Sequence, residues 1–241
     1  QLHETYLPPF KAVSDIGVAT FMNSFNDING IPATGNKYIQ RDLLKGAWNF
    51  QGFVVSDWGS IGEMIPHGFA KDNKDAALKA IIAGSDMDME SRSYINHLAE
   101  LVKEGKVDIQ LVDDAVRRIL TKKYELGLFD DPYRFINEKR EKEQANNPEH
   151  RKFAREIGAK SIVLLKNENQ LLPLSPTTKK VAIIGPFAKA TVENHGFWSI
   201  AFPDDSQRIV TQFDGIKAQL AKNSELLYAK GCNANDNDKS L

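Results

Sequence analysis

Phe53-Val54-Val55-Ser56-Asp57-Trp58-Gly59-Ser60 changes character over a few residues. Phe53 to Val55 are aromatic or β-branched and suit a short buried strand, whereas Gly59-Ser60 reads as the loop that follows it. Asp57 emerges where the strand gives way, with Trp58 beside it. Lys74 to Ala83 then reads as an amphipathic helix closed by Gly84, glycine just past a helix end being a common left-handed cap.

Working outward, the same order repeats. Val18 to Ser24 is an apolar run followed by a helical pattern around Lys37 to Lys45, and Asp86 to Met89 is followed by a helix over Ser93 to Glu104 closed by Gly105. Short buried strands alternating with helices imply βα units and a parallel sheet. The strand starts fall a little over thirty residues apart, close to the roughly 31 residues per unit of a 250-residue (β/α)8 barrel. A doubly wound sheet gives similar local patterns. Leu111 to Tyr124 places Val112, Ala115, Val116, Ile119 and Leu120 on one helical face, as expected of a long helix closing the first domain.

After Asp131-Pro132 comes the polar stretch Asn137 to Glu149, read as part of an interdomain connection. A second α/β region follows: a helix from His150 to about Ala159, a strand over Ser161 to Leu165, a turn at Leu171-Leu172-Pro173-Leu174, a strand over Val181 to Ile184 and a helix over Ile209 to Leu220. The expected division is therefore 1–130 for the first domain, 131–149 for the connection and 150–241 for the start of the second. Three strands and a leading helix at Leu7 to Val13 cannot close an eight-stranded barrel, so a barrel reading makes the first domain the C-terminal half of one.

Lys plus Arg number 31 against 32 Asp plus Glu in 241 residues, a net charge of -1. That balance argues against a nucleic-acid or anionic-membrane surface as the main partner. The single cysteine, Cys232, excludes an internal disulfide framework and a cysteine-based zinc cluster. No apolar run approaches the roughly 20 residues of a membrane span, so no membrane insertion is expected. His3, His67, His97, His150 and His195 lack metal-ligand spacing.

In a parallel barrel, catalytic groups sit at the C-terminal ends of strands, which is where Asp57 falls. An ionised carboxylate there could act as a nucleophile, and Trp58 suits the apolar C–H face of a sugar ring. Ser-Asp before a Gly-containing turn is equally an ordinary strand-to-helix cap. Met22 and Phe25 would line a pocket if the Met22 to Gly30 loop faces substrate; the same loop reads as a plain Asn/Asp/Gly turn. Asp86 and Asp88 form a carboxylate pair, read chiefly as holding neighbouring loops by hydrogen bonds. Ile184-Gly185-Pro186 lacks the further glycines of a dinucleotide turn.

The ordered set Met22 to Pro32, Lys37-Tyr38, Gly52 to Trp58 and Ala83-Gly84-Ser85-Asp86-Met87-Asp88-Met89 resembles glycoside hydrolase family 3, in its bacterial periplasmic β-glucosidase branch. Ala115 to Leu120, Leu126 to Phe129 and Ala159 to Asn167 extend the resemblance over nearly the whole chain. It implies the C-terminal part of a (β/α)8-type barrel followed by the start of an α/β sandwich domain. Asp57 would be the catalytic nucleophile, with Trp58 packing on the sugar and Met22 and Phe25 lining the pocket. Phe25 stands where the family more usually has Tyr. The general acid/base Glu would lie beyond Leu241, and sugar-binding residues before Gln1. The implied activity is retaining, exo-acting hydrolysis of terminal β-D-glucosyl residues, without a cofactor, on β-linked glucosides or oligosaccharides. The implied location is periplasmic or extracellular. A β-xylosidase of the same family and a non-catalytic carbohydrate-binding barrel are the competing expectations, and Trp198 is a further candidate for a far subsite.

Overall fold

The computed structural model describes residues 1–145, 147–199 and 209–234. It divides into two compact units, Gln1–Ala145 and Asn146–Leu241. Both contain helices and parallel strands, so the chain is α/β.

In the first unit, a π-helical turn Leu2–Tyr6 leads into helix α1 (Leu7–Asp15). Strand β1 (Thr20–Met22) follows, then a short hairpin of β2 (Asp27–Ile28) and β3 (Ile31–Pro32). Asn29 and Gly30 both adopt left-handed backbone at the hairpin tip, with φ of 53° and 77°, as an Asn-Gly turn allows. Tyr38–Ala47 is helical where expected, but wound wider than an α-helix, as in the Trp48 N to Leu43 O bond of 2.8 Å.

Strand β4 (Phe53–Val55) pairs in parallel with β1, Thr20 facing Phe53 and Met22 facing Val55. On its other side, Met87 bridges Val55 in parallel. The expected strand Asp86 to Met89 is thus reduced to one bridge. The reason lies in neighbouring bonds: Asp86 N and Met87 N both donate to Val54 O, and Met89 N turns to Ser56 Oγ instead of continuing the ladder.

Helix α2 (Ser60–Glu63) is followed by α3 (Asn73–Ala83), α4 (Ser93–Lys103) and α5 (Ile109–Glu125). Asp72 Oδ1 caps the start of α3 by accepting from Asp75 N at 2.8 Å, and Gly84, at φ 111°, ends it. Small residues let α3 pack on two flanks. Ala76 and Ala80 lie against Ile61 and Met64, while Ala77 and Ile81 lie against Leu101, Val107 and Ala115. Each large side chain fully buried there, such as Ile61 or Ile81, stabilises the fold by about 1.5–3 kcal/mol.

A third cluster, Leu44, Phe50 and Val54 with Phe21 and Trp48 against it, packs the base of the β1–β4 pair. Phe21 and Phe50 meet edge-to-face at 5.0 Å. Arg118 ties α5 to this base, donating from Nη1 to Phe50 O and Gly52 O, each at 2.8 Å. Only the Ala115 flank of the expected α5 stripe is covered. Val116 and Leu120 are exposed and line an open groove with Arg117, Tyr124 and Phe129.

The expected connection is partly helical. Glu138–Gln144 forms α6, capped by Asn137 Oδ1 on Arg140 N, and Pro148–Ser161 forms α7, capped by Asn147 Oδ1 on Glu149 N. Side-chain caps and a Glu/Lys-rich composition make these polar segments helix-forming. The strand expected over Ser161 to Leu165 is not formed: α7 runs through Ser161, and among the described residues no strand pairs with 162–165. Those four apolar side chains are exposed, Leu165 by 92%.

In the second unit, β5 (Lys180–Ile184) pairs in parallel with β6 (Glu225–Ala229), Lys180 facing Glu225 and Ile184 facing Ala229. Between them in sequence lies α8 (Gln212–Gln219), capped by Thr211. Lys189 Nζ sits 4.3 Å from the Phe213 ring centroid and 4.4 Å from that of Tyr228.

Candidate active site

The candidate site is built on the C-terminal ends of the parallel pair. The β1–β4 register sets Met22 against Val55. Asn23 N continues the ladder to Val55 O at 3.0 Å, and Ser56 N to Met87 O at 2.8 Å. The three strand ends therefore finish level with one another, and Asp57 is the first side chain beyond the paired part of β4.

Asp57 is half-buried. Its Oδ1 accepts from the backbone N of Trp58 at 2.7 Å, and Asp57 O accepts from Ser60 N at 3.1 Å. These bonds turn the chain sharply at the strand end and fix one carboxylate oxygen. Gly59, at φ 69°, completes the turn and its N–H reaches Met89 O at 2.9 Å. Ser56, fully buried, receives Met89 N at 2.7 Å on its Oγ. The loop carrying Asp57 is thus tied to the loop after Met87 by two bonds.

That neighbouring loop is itself constrained. Glu90 and Arg92 have positive φ, 78° and 58°, a conformation costing about 1–3 kcal/mol for a non-glycine residue, of a kind that gathers at functional sites. Ser91 Oγ accepts from Gly62 N at 3.0 Å, joining this loop to α2.

Trp58 is half exposed and Met22 56% exposed, both at the end of the parallel pair. An exposed indole on the residue after a carboxylate supplies two kinds of group, an apolar plane and a hydrogen-bond acceptor, that suit a polyhydroxylated ring. Phe25 lies three residues past Met22, half-buried, in the bend before β2. Trp198, in the other unit, is exposed and stacks edge-to-face on Phe197 at 5.2 Å.

Asp86 and Asp88 have structural partners. Asp86 Oδ1 meets Lys45 Nζ at 2.5 Å with both side chains almost fully buried, and Asp86 Oδ2 accepts from Val54 N at 2.7 Å. Burial is the largest influence on Lys45 and lowers its pKa, against the raising effect of Asp86. Asp88 Oδ2 accepts from Tyr94 N, starting α4, while the Tyr94 hydroxyl donates to Ser85 O at 2.8 Å. Desolvation, aided by Asp86 and Asp88, pushes the Tyr94 hydroxyl well above the usual tyrosine range.

A set of buried polar residues beneath Asp57 was not singled out from the sequence. Thr34, Gln40, Ser60 and Ser85 are buried and converge on the carboxamide of Asn23. Their spacing, up to 62 residues apart between Asn23 and Ser85, carries no local pattern; only the βα repeat brings them together. Among the described residues, no group of three or more His, Cys, Asp and Glu side chains could hold a metal ion.

Comparison with known proteins gives this geometry a context. The chain is 40% identical to a periplasmic β-glucosidase of Salmonella typhimurium, over the whole of this chain and 31% of that protein. It is 36% identical to a β-xylosidase of Formosa agariphila, over 96% of this chain and 34% of the relative. Among solved structures, a β-glucosidase from Listeria innocua in complex with glucose superposes with a TM-score of 0.76 at 36% identity, covering 98% of this chain and 32% of that one. The chain thus spans about a third of the length of these relatives. Residues 1–122 match the N-terminal domain of glycosyl hydrolase family 3 and residues 162–240 its C-terminal domain, and with half the chain matched by the first of these, the chain belongs to glycosyl hydrolase family 3.

Proposed function

We propose that the protein carrying this chain is a retaining, exo-acting β-glycosidase that removes terminal β-D-glucosyl residues through a covalent intermediate on Asp57. The observation that carries the reading is the placement of Asp57 just past the end of β4, one oxygen anchored on Trp58 N at 2.7 Å, with the next residue, Trp58, half exposed. In this reading the Asp57 oxygen not held by Trp58 N attacks the anomeric carbon. A second carboxylic acid, from a glutamate beyond Leu241, protonates the departing oxygen and then activates water, the two carboxyls lying about 5–5.5 Å apart as retaining enzymes require. Trp58 orients the sugar, with Met22 and Phe25 as pocket walls. No step needs a cofactor.

The corresponding architecture is the C-terminal half of a (β/α)8 barrel over residues 1–130, a connection over 131–149 and the start of an α/β sandwich over 150–241. The level, consecutive parallel strand ends at Met22, Val55 and Met87 support the first assignment, and the β5–β6 pair the last. Likeness to a periplasmic β-glucosidase supports a periplasmic location; among the described residues no helix is long and apolar enough to cross a membrane.

Likeness to a β-xylosidase favours xylosides as the second candidate substrate. Incubating the full-length protein with aryl β-glucoside and aryl β-xyloside, and following the released sugar by proton NMR, tests the proposal. The β-anomer should appear first, from the glucoside faster than from the xyloside. First release of the α-anomer would rule out the retaining mechanism, and no release from either substrate would favour a carbohydrate-binding protein.

A further inference from the structure

We propose that Asn23 is the positioning residue for Asp57, its carboxamide coupling the backbone of the nucleophile to the neighbouring strand ends. The inference rests on the glycosidase reading and adds a residue to it. Asn23 follows Met22 at the end of β1, and both ends of its amide are engaged. Oδ1 lies 3.0 Å from Thr34 Oγ1, 3.4 Å from Ser60 Oγ and 3.4 Å from Asp57 N. Nδ2 donates to Ser85 Oγ at 2.8 Å and to Gln40 Oε1 at 3.1 Å.

The orientation of this amide is dictated by a chain of obligations. Gln40 Nε2 donates to two carbonyls, Ala33 O at 2.8 Å and Thr34 O at 2.9 Å. A carbonyl only accepts, so the NH2 group of Gln40 must face that side and its Oε1 must face Asn23. Ser85 Oγ donates to Oε1 at 3.0 Å, and an Asn23 oxygen in place of Nδ2, which stands 3.1 Å from Oε1, would set two acceptors against each other, so Nδ2 faces Gln40 and Ser85. Oδ1 is left pointing at Asp57, where an N–H needs an acceptor. Thr34, Gln40, Ser60 and Ser85 are each at most 2% exposed, so these four partners of the Asn23 amide are shielded from water.

The consequence is mechanical. Asn23 directly follows β1, Asp57 lies two residues past β4 and Ser85 two residues before the bridge residue Met87. One side chain thereby holds three consecutive strand ends in register and sets where the Asp57 backbone, and hence its carboxylate, stands. An error of about 1 Å in the placement of a reacting group can cost on the order of a hundredfold in rate.

The test compares Asn23→Ala with Leu101→Ala in the full-length protein, measuring kcat and KM on an aryl β-glycoside alongside the thermal midpoint. Leu101 is fully buried in the α3–α4–α5 cluster, which contains neither Asn23 nor Asp57, and serves as a destabilised control. Asn23→Ala is expected to lower kcat about 10- to 100-fold with KM within about threefold, the signature of a group acting in the transition state. Leu101→Ala should lower the midpoint at least as much while keeping kcat within about twofold. Asn23→Ser, too short to reach Asp57 N, carries the same expectation if Asn23→Ala does not fold. Wild-type kcat in the Asn23 variants, or equal kcat loss in Leu101→Ala, would overturn the inference while leaving the glycosidase reading intact. An inactive wild type would overturn that reading, and this inference with it.

Discussion

Asp57 is held by backbone rather than by charge: Trp58 N fixes one oxygen, and the turn through Gly59 ties it to Met89. Trp58 itself contributes surface. Removing an aromatic plane from a binding site costs about 1.5 kcal/mol, so Trp58→Ala should lower kcat/KM roughly tenfold without moving the thermal midpoint, a split that steady-state kinetics and calorimetry would show. The Lys45–Asp86 pair beneath the site behaves differently. Lys45→Met leaves a buried carboxylate uncompensated and should destabilise the protein by about 3–5 kcal/mol in denaturant unfolding, whereas the double variant Lys45→Met/Asp86→Asn should recover most of that loss. The position of Asp57 and Trp58 just past a strand is legible in the sequence because a strand end announces itself locally. Asn23 is not, because its partners at Thr34, Gln40, Ser60 and Ser85 are adjacent only after folding.

At the scale of elements, β4 depends on a close approach at its start. A Cβ at Gly52 would stand 2.1 Å from Ala19 O and 2.4 Å from the Phe50 ring. Gly52→Ala must therefore push β4 away from β1, and a loss of about 2 kcal/mol or more is expected in chemical unfolding, with kcat reduced as the Asp57 strand shifts. The α3–α4 contact, apolar at its centre, carries charge at its rim. Lys74 Nζ reaches Glu100 and Glu104, each at 2.7 Å, and Lys106 reaches Glu104 at 2.9 Å. Hydrogen bonds from Lys74 and Lys106 lower the Glu104 carboxyl from 4.5 to about 2. A carboxyl depressed in the folded state favours folding above its unfolded value, and that contribution disappears as pH falls from 4.5 towards 2. Glu104→Gln should accordingly flatten acid unfolding across that window, and salt should shrink the difference because the pair is exposed.

Element legibility followed local signals. Helix α3 is readable from its period and Gly84, whereas the β2–β3 hairpin, with strands of two residues each, reads as a loop despite its Asn29-Gly30 turn. The apolar run after Ser161 suggested a strand by composition, but a strand needs a partner, and among the described residues none pairs with it. The α5 helix forms as its period predicts, yet of its apolar stripe Ala115 is covered while Val116 and Leu120 are exposed, because periodicity reports which residues share a face and says nothing of what covers it.

For the molecule as a whole, two compact α/β units match the two domains of one glycosyl hydrolase family, in the order that family has them. Composition alone reached only a balanced globular chain; the ordered βα repeat and the residues at its strand ends carried the reading further. The central claim is that Asp57 forms a covalent bond to the sugar. Its most direct test is to incubate the full-length protein with 2-deoxy-2-fluoro β-glucoside and β-xyloside reagents bearing activated leaving groups, then to map any adduct by peptide mass spectrometry. The activated leaving group lessens the need for the general acid, and the fluorine slows release of the intermediate. We predict a glycosyl adduct on the peptide containing Phe53 to Trp58, absent from Asp57→Ala. An adduct on another carboxylate, or none from a folded protein that hydrolyses the parent glycosides, would contradict the assignment of Asp57.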